Sequence, residues 1–475
     1  MKSDLYCNPV PLPDLTLGMG RVFPDRLSAG YIAQNCDYRE VADPEILPYE
    51  GKYYAYMSCR QVYVSEDLIH WDYQPLEIDF PLGYAPCVTC CGKNIYITSS
   101  IRYGEKYARI YAAEHPTGPF KTLGIPKDKY GKPIEDFLDP ALFTDDDNRV
   151  YLYWGYAPLG GGIFGMEVDP QHPDCGISDI VKLFDLESKN PWEHFGRHGE
   201  VTDFGWNEGA SMYKYNGVYY LQYASCGTRF PNYAIGVYML DSPLGPVKKP
   251  ATLLCCNPHG VVSGTGHGGM FTGPDGKPWQ TYSVLVHRLH YFERRIGIDP
   301  VSFDENGVPK VEVSDSPRSV SAGKVDLVNA AAWKNSAVSS YQPHTPGFYA
   351  LDECLHTAWF PQVEDKQPHF TVDLERDFTI HALRLIWAED NADVRNNIQY
   401  GPVNYRVNFL DNNGNVLDFT IDKSSNQRDL AVEFLQIAPI TARYVQLTIL
   451  RGSNPMVYGL SDLAVFTEPR TMGNQ

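Results

Sequence analysis

The chain is short of positive charge. Against 58 Asp and Glu stand only 40 Lys and Arg, a formal net charge of −18 over 475 residues. Such a chain repels nucleic acid and anionic membrane surfaces, so the expected partner is neutral or cationic. The same bias also serves plain solubility. No run of 18 apolar residues occurs, which excludes a membrane-spanning helix. The opening Met1-Lys2-Ser3-Asp4-Leu5-Tyr6 lacks the apolar stretch and cleavage site of a secretion signal. A cytoplasmic location is therefore expected, unless a signal has been removed. The 11 cysteines are odd in number and fall at no repeating spacing. No CxxC pair is matched by a second, so a structural zinc site is not expected and buried free thiols are. Long amphipathic helical patterns and low-complexity segments are also missing, while period-two windows and turn dipeptides recur.

What is abundant is aromatic. Aromatic residues make up 13% of the chain, with 33 Tyr. Tyr suits both a pleated, half-buried surface and stacking against sugar rings, and composition does not separate the two. Many of these residues fall in a pattern that returns five times: Gly51-Lys52-Tyr53-Tyr54-Ala55-Tyr56, Gly92-Lys93-Asn94-Ile95-Tyr96-Ile97, Asn148-Arg149-Val150-Tyr151-Leu152-Tyr153, Asn216-Gly217-Val218-Tyr219-Tyr220-Leu221 and Asp275-Gly276-Lys277-Pro278-Trp279. Asp43, Tyr84, Asp139, Glu208 and His267 precede these runs by about eight or nine positions. Repeated units of short strands argue for radially stacked sheets, here a five-bladed β-propeller, with a β-sandwich as the alternative. Equivalent positions then surround one axis, and three carboxylates and a histidine converge there.

The Pro- and Gly-rich first 30 residues or so read as a loop, which in a closed ring could cross the mouth of the pocket. The polar, turn-rich stretch 314–323 marks a domain boundary. The expected organisation is all-β, with a propeller over 1–318 and a β-sandwich over 325–468. The sandwich strands include Phe370-Thr371-Val372-Asp373-Leu374, Ala382-Leu383-Arg384-Leu385-Ile386-Trp387 and Tyr444-Val445-Gln446-Leu447-Thr448-Ile449.

Cleaving a glycosidic bond with inversion needs one carboxyl group to protonate the leaving oxygen. A second must activate a water on the opposite face. The acid must keep its proton near neutral pH, which burial or a nearby like charge secures. Glu208, beside Trp206 and before Gly209-Ala210, has the apolar setting of the acid. Asp139, between Leu138 and Pro140, can tune it, and Asp43 remains as the base. The plain alternative is that each Asp-Pro merely starts a turn.

Ala42-Asp43-Pro44-Glu45-Ile46, Leu138-Asp139-Pro140-Ala141-Leu142-Phe143 and Asn207-Glu208-Gly209-Ala210-Ser211-Met212-Tyr213 resemble the three acidic motifs of family 43 glycoside hydrolases. The resemblance covers roughly residues 35 to 310 and includes Tyr84-Ala85-Pro86. It implies a five-bladed propeller, an inverting mechanism, and Asp43, Asp139 and Glu208 as base, pKa modulator and acid. It also implies substrate contacts from Tyr84, Trp206 and Arg294, although many members carry Trp at the position of Tyr84. Arg294 and Arg295 alternate, so only one faces inward, and a surface salt bridge is the alternative for Arg294. Gly264-Thr265-Gly266-His267-Gly268 resembles the family's axial histidine motif. There His267 either helps to hold a calcium ion or waters, or is a satisfied core histidine. No cofactor is required, and a structural calcium is the one ion to consider, with Asp352 a second place for it.

Ala350-Leu351-Asp352-Glu353, Thr357-Ala358-Trp359-Phe360 and Gly459-Leu460-Ser461-Asp462-Leu463 resemble a discoidin, or galactose-binding-like, sandwich. Such a domain binds sugar or braces its neighbour. The expected activity is exo-acting release of a pentose, L-arabinofuranose or D-xylose, from oligosaccharides. A galactan-directed exo-enzyme of the same family and a non-catalytic sugar-binding propeller are the alternatives.

Overall fold

A computed structural model describes the chain except for residues 1–3, 19–37, 59–60, 81, 101–104, 136, 159–160, 188, 452–455 and 470–475. Among the described residues it is all-β, with short 3-10 turns besides strands. No described helix is long and apolar enough to cross a membrane.

Five four-stranded antiparallel sheets follow one another, each in plain sequence order. The first holds Glu45–Tyr49, Lys52–Met57, Gln61–Ser65 and Asp72–Pro75. The second holds Cys87–Cys91, Asn94–Thr98, Ile110–Ala113 and Lys121–Gly124. The third is built from Ala141–Thr144, Val150–Tyr156, Gly162–Val168 and Val181–Phe184. Asn207–Tyr215, Val218–Ser225, Ala234–Leu240 and Val247–Cys255 make the fourth. Met270–Thr272, Pro278–Leu285, Arg294–Phe303 and Pro309–Val311 make the fifth.

The tyrosine-rich runs are the second strands of these sheets, and the packing explains their composition. Each such strand is buried on both faces, so a ring must fill space while its hydroxyl finds an acceptor. Tyr56 of the first sheet donates to the carbonyl of Pro116 in the second (2.6 Å), and Tyr96 of the second donates to Pro170 in the third (2.9 Å). Tyr153 of the third donates to Pro243 in the fourth (3.0 Å), and Tyr220 of the fourth to Gly307 in the fifth (3.0 Å). A tyrosine of the second strand thus clips each of the first four sheets to the next. These tyrosines serve packing and not sugar stacking. Between the clips lie apolar layers, such as Tyr54, Val62, Val88, Ile95, Ile97 and Phe120 between the first two sheets.

The C-terminal strands form one seven-stranded sheet. Its longest member, His369–Ala388, was expected as two strands. It runs through both, because irregularities between Asp373 and Phe378 and between Ile380 and Ala382 absorb the break without ending the pairing. Its core centres on Trp359, Phe370, Leu383, Leu385, Tyr405 and Leu447.

The compact units divide the ends of the chain differently from the expected 1–318 and 325–468. Glu40–Leu285 and Arg294–Val313 form one unit, and Met1–Arg39, Val286–Glu293 and Ser314–Gln475 form the other. The physical reason is pairing between segments far apart in the chain. Leu5–Tyr6 is a strand partner of Arg318–Ser319. Arg39 forms buried ion pairs with Glu389 and, at 2.6 Å, with Asp429. Arg288, in the short 286–293 segment, pairs with Asp390. Residues 19–37 of the expected mouth-crossing loop lie outside the described residues.

Candidate active site

At the start of each sheet one residue adopts the left-handed conformation: Asp43 (φ 51°), Ala85 (49°), Asp139 (42°), Gly209 (61°) and His267 (53°). For a non-glycine residue this costs on the order of 1–3 kcal/mol, and such strain persists only where the surroundings enforce it. The conformation is also unusual for a residue before proline, as Asp43 and Asp139 are. Serines enforce it. The Asp43 amide donates to Ser283 Oγ of the fifth sheet (3.2 Å), and the Ala85 amide to Ser58 Oγ at the end of the first (3.0 Å). The Asp139 amide donates to Ser100 Oγ just after the second strand of the second sheet (2.8 Å). Gly155 stands in the matching place of the third sheet, with its amide on the Leu138 carbonyl, and supplies no hydroxyl. The next left-handed position is accordingly a glycine, Gly209, where a Cβ would come within 2.9 Å of the His267 ring.

This geometry refines the register read from sequence. Asp43, Asp139 and His267 are equivalent, but in the second and fourth sheets the equivalent residues are Ala85 and Gly209. Tyr84 and Glu208 each precede that position by one residue. The Glu208 side chain still reaches the same place. One ligating atom each of Asp139, Glu208 and His267 lies within 4.8 Å of the others. His267 Nδ1 also stands 3.5 Å from Asp43 Oδ1 and 3.8 Å from Asp139 Oδ2. A small cavity, with about 20 Å³ open to a water's centre, is lined from every sheet, by Asp43, Ala85, Asp139, Gly209 and His267 among others. That is room for roughly one water molecule.

The three acids have different surroundings. Asp43 is 5% exposed. Arg294 grips it through two nitrogens, at 2.7 Å and 3.1 Å, and Ser58 Oγ donates to Oδ2 at 2.6 Å. Burial opposes its ionisation, but Arg294, His267 and these hydrogen bonds outweigh burial and hold its pKa below the ordinary carboxylate value. A carboxylate has about four acceptor positions. Ser58 and Arg294 fill three, and the fourth is on Oδ1, with His267 Nδ1 3.5 Å away.

Glu208 is the reverse case. It keeps part of its side chain open, as a group that must reach a substrate requires. Burial first, then the negative charge of Asp139, push its pKa up to about 8. Trp206 Nε1 donates to Oε2 at 2.6 Å, and the Tyr233 hydroxyl donates to Oε1 at 3.3 Å. Trp206 itself stacks on Tyr156, with ring centroids 5.1 Å apart. Asp139, 7% exposed, is also raised by burial, with His267 and a 2.6 Å hydrogen bond from Ser100 working against that. The result is a carboxylate held ionised next to a carboxyl held protonated, the separation that acid–base chemistry needs.

The residues expected from sequence thus lie in one network. Arg294 is buried against Asp43 rather than in a surface salt bridge. Arg295 turns away and donates to the Arg294 carbonyl. The Tyr84 hydroxyl donates to Glu40 at 3.1 Å, which fixes where its ring stands. Glu40, Ser58, Ser100 and Tyr233 were missed. A serine at the end of the second strand does recur, as Ser58, Ser225 and Ser283, and that signal was readable. Glu40 and Tyr233 carry no such signal.

Among the described residues, the only cluster of three or more His, Cys, Asp and Glu side chains spaced to share an ion is Asp139, Glu208 and His267. Asp352 belongs to no such group, and its carboxylate is taken by the Thr357 hydroxyl and the Cys354 amide. The trio does not fit a resident calcium together with an acid at Glu208. A ligating carboxylate must be ionised, and calcium asks for six to eight oxygens where this set has two carboxylates and an imidazole.

A family model for glycosyl hydrolases family 43 matches residues 38–309, and a model for the F5/8 type C domain matches residues 334–461. A β-D-galactofuranosidase of Aspergillus niger is 25% identical over 303 residues, 56% of this chain and 80% of that protein. A xylosidase/arabinosidase of Butyrivibrio fibrisolvens is 31% identical over 168 residues, 34% of this chain and 29% of that protein. The crystal structure of a thermostable family-43 glycoside hydrolase superposes with a TM-score of 0.50 at 24% identity, over 61% of this chain and 98% of that one. At that identity the likeness speaks for the fold.

Proposed function

The chain belongs to glycosyl hydrolases family 43, and from that premise we propose that it is an inverting, exo-acting glycoside hydrolase releasing a pentose, L-arabinofuranose or D-xylose, from oligosaccharides. The observation that carries the reading is the opposed protonation of two carboxyls that both stand close to His267. Asp43 is held ionised by Arg294, and Glu208 is held protonated by burial and Asp139. In this mechanism Glu208 gives its proton to the glycosidic oxygen as the bond to the anomeric carbon breaks. A water beside Asp43 attacks the opposite face and loses its proton to Asp43. Asp139 keeps the proton on Glu208 between turnovers. No step requires a metal ion.

We read the five sheets as propeller blades. The tyrosine clips run from each sheet to the next, and Asp43 of the first sheet bonds Ser283 of the fifth, which supports a closed ring. The C-terminal sheet is read as a discoidin-like sandwich on the F5/8 type C match. The pentose rests on the xylosidase/arabinosidase relative. The galactofuranosidase relative favours a second reading, a galactose-releasing enzyme.

The test is a panel of linkage-defined arabino-, xylo- and galacto-oligosaccharides, with proton NMR of the first-formed anomer. Release of a pentose of inverted configuration is expected. A retained anomer rejects the mechanism, and turnover of galactosides alone replaces the pentose.

A further inference from the structure

Glu40, three residues before Asp43, is wholly buried, yet the mechanism above gives it no part. Its oxygens receive two different donors. Arg294 Nη2 donates to Oε1 at 2.7 Å and the Tyr84 hydroxyl to Oε2 at 3.1 Å. Gln61 fixes its backbone carbonyl at 2.7 Å. These contacts close a circuit. Asp43 is held by Arg294, Arg294 by Glu40, and Glu40 by Tyr84. Tyr84 leads to Ala85, whose amide donates to Ser58, and Ser58 donates back to Asp43. The Tyr84 carbonyl also accepts from the amide of Ser100, whose hydroxyl holds Asp139.

The chemistry of the circuit calls for a carboxylate. A guanidinium only donates, and a phenol in this position donates too. Both oxygens of residue 40 therefore accept; a glutamine would offer Arg294 only a neutral acceptor and would meet Tyr84 only with the phenol turned round to accept. The arrangement is costly. Arg294 is already paired with Asp43, so a second carboxylate leaves the buried group one negative charge in excess. Burial pushes the Glu40 pKa up to about 7 even with Arg294 alongside. A residue kept only for core stability would be better apolar.

We propose that Glu40 is a positioning residue for the reaction, tying Arg294, and through it the base Asp43, to Tyr84 at the edge of the pocket wall. Tyr84 is held at its hydroxyl and at its carbonyl, so its ring has one place, and that place is set from the same carboxylate that sets the base. The inference rests on the reading of Asp43 as the base.

The experiment uses the full chain and an oligosaccharide that the wild type cleaves. Glu40→Gln, Tyr84→Phe and the double variant are compared for kcat, KM and thermal midpoint, with Asp43→Ala alongside. Replacing the charged acceptor of Arg294 by a neutral one predicts that Glu40→Gln lowers kcat/KM by about 5- to 10-fold, with an unchanged or higher midpoint. Tyr84→Phe should lower kcat/KM by about 3- to 10-fold, and the double variant should fall short of the product of the two, since both cut one circuit. Kinetic constants for Glu40→Gln within twofold of wild type, or strict multiplicativity of the two losses, overturn the proposal. If Glu40→Gln does not fold, Tyr84→Phe decides alone, and unchanged constants for it overturn the proposal equally. Full activity of Asp43→Ala would instead remove the reading of the base, whatever Glu40 does.

Discussion

Replacing Trp206 with Phe should move the alkaline limit of activity upward. Trp206 Nε1 donates to Glu208 Oε2 at 2.6 Å. An indole nitrogen only donates, so this bond favours the ionised glutamate over the acid. A hydrogen bond to a charged group is worth about 1.5–3 kcal/mol, and one between neutral groups about 0.5–1.5. The substitution therefore costs the anion roughly 1–1.5 kcal/mol more than the acid, and 1.36 kcal/mol corresponds to one pH unit. Glu208 starts from about 8 and must be protonated to work. Activity is lost as pH rises through its pKa, so the alkaline limb should rise by about one pH unit. Phe keeps a ring for the stack on Tyr156, which limits other disturbance. The assay is kcat/KM on an unactivated disaccharide from about pH 6 to about pH 10, because a nitrophenolate leaves without an acid's help. An alkaline limb that stays in place or moves down would refute the assignment of Glu208 as the acid under Trp206.

Asp43→Ala and Glu208→Ala should each lower kcat by about 10²- to 10⁴-fold with little change in thermal midpoint, measured on an oligosaccharide. Glu45, lining the same cavity, is pushed up to about 8 by burial from an ordinary 4.5. The unfolded chain ionises it first, so its contribution to stability falls as pH rises from about 4.5 to about 8. Glu45→Gln should therefore raise the midpoint at pH 8 and leave it unchanged at about pH 4, and an equal shift at both would contradict this. In the C-terminal unit, Arg384 pairs with Asp462 in full burial at 2.9 Å. Arg384→Ala leaves that carboxylate unpaired and should cost about 3–5 kcal/mol in denaturant unfolding. Dialysis against a chelator should leave kcat/KM unchanged, and a loss restored by calcium would show a required ion.

Much of the architecture could be read directly. The five strand-forming runs are the second strands of the five sheets, because a strand buried on both faces needs continuous β-branched and aromatic residues. The Asp-Pro pairs were also legible, since both elements are local. The C-terminal strands were found, but the joining of two of them into His369–Ala388 was not. An irregularity within a strand looks like a loop until its partner strand is known. The allegiance of the first 39 residues was equally hidden, because it depends on Arg318–Ser319, Glu389 and Asp429, hundreds of positions away.

Sequence alone determined the repeat, the all-β class and which acids stand near the sheet origins, because these follow from periodicity and residue type along the chain. Only the tertiary structure decided which acid is ionised and which keeps its proton. That depends on the desolvation of each carboxyl and on Arg294, some 250 residues from Asp43 in the chain and 2.7 Å away in space. It also decided that Tyr84 answers to Glu40. A hydrogen bond between side chains of two sheets leaves no trace in the spacing of either.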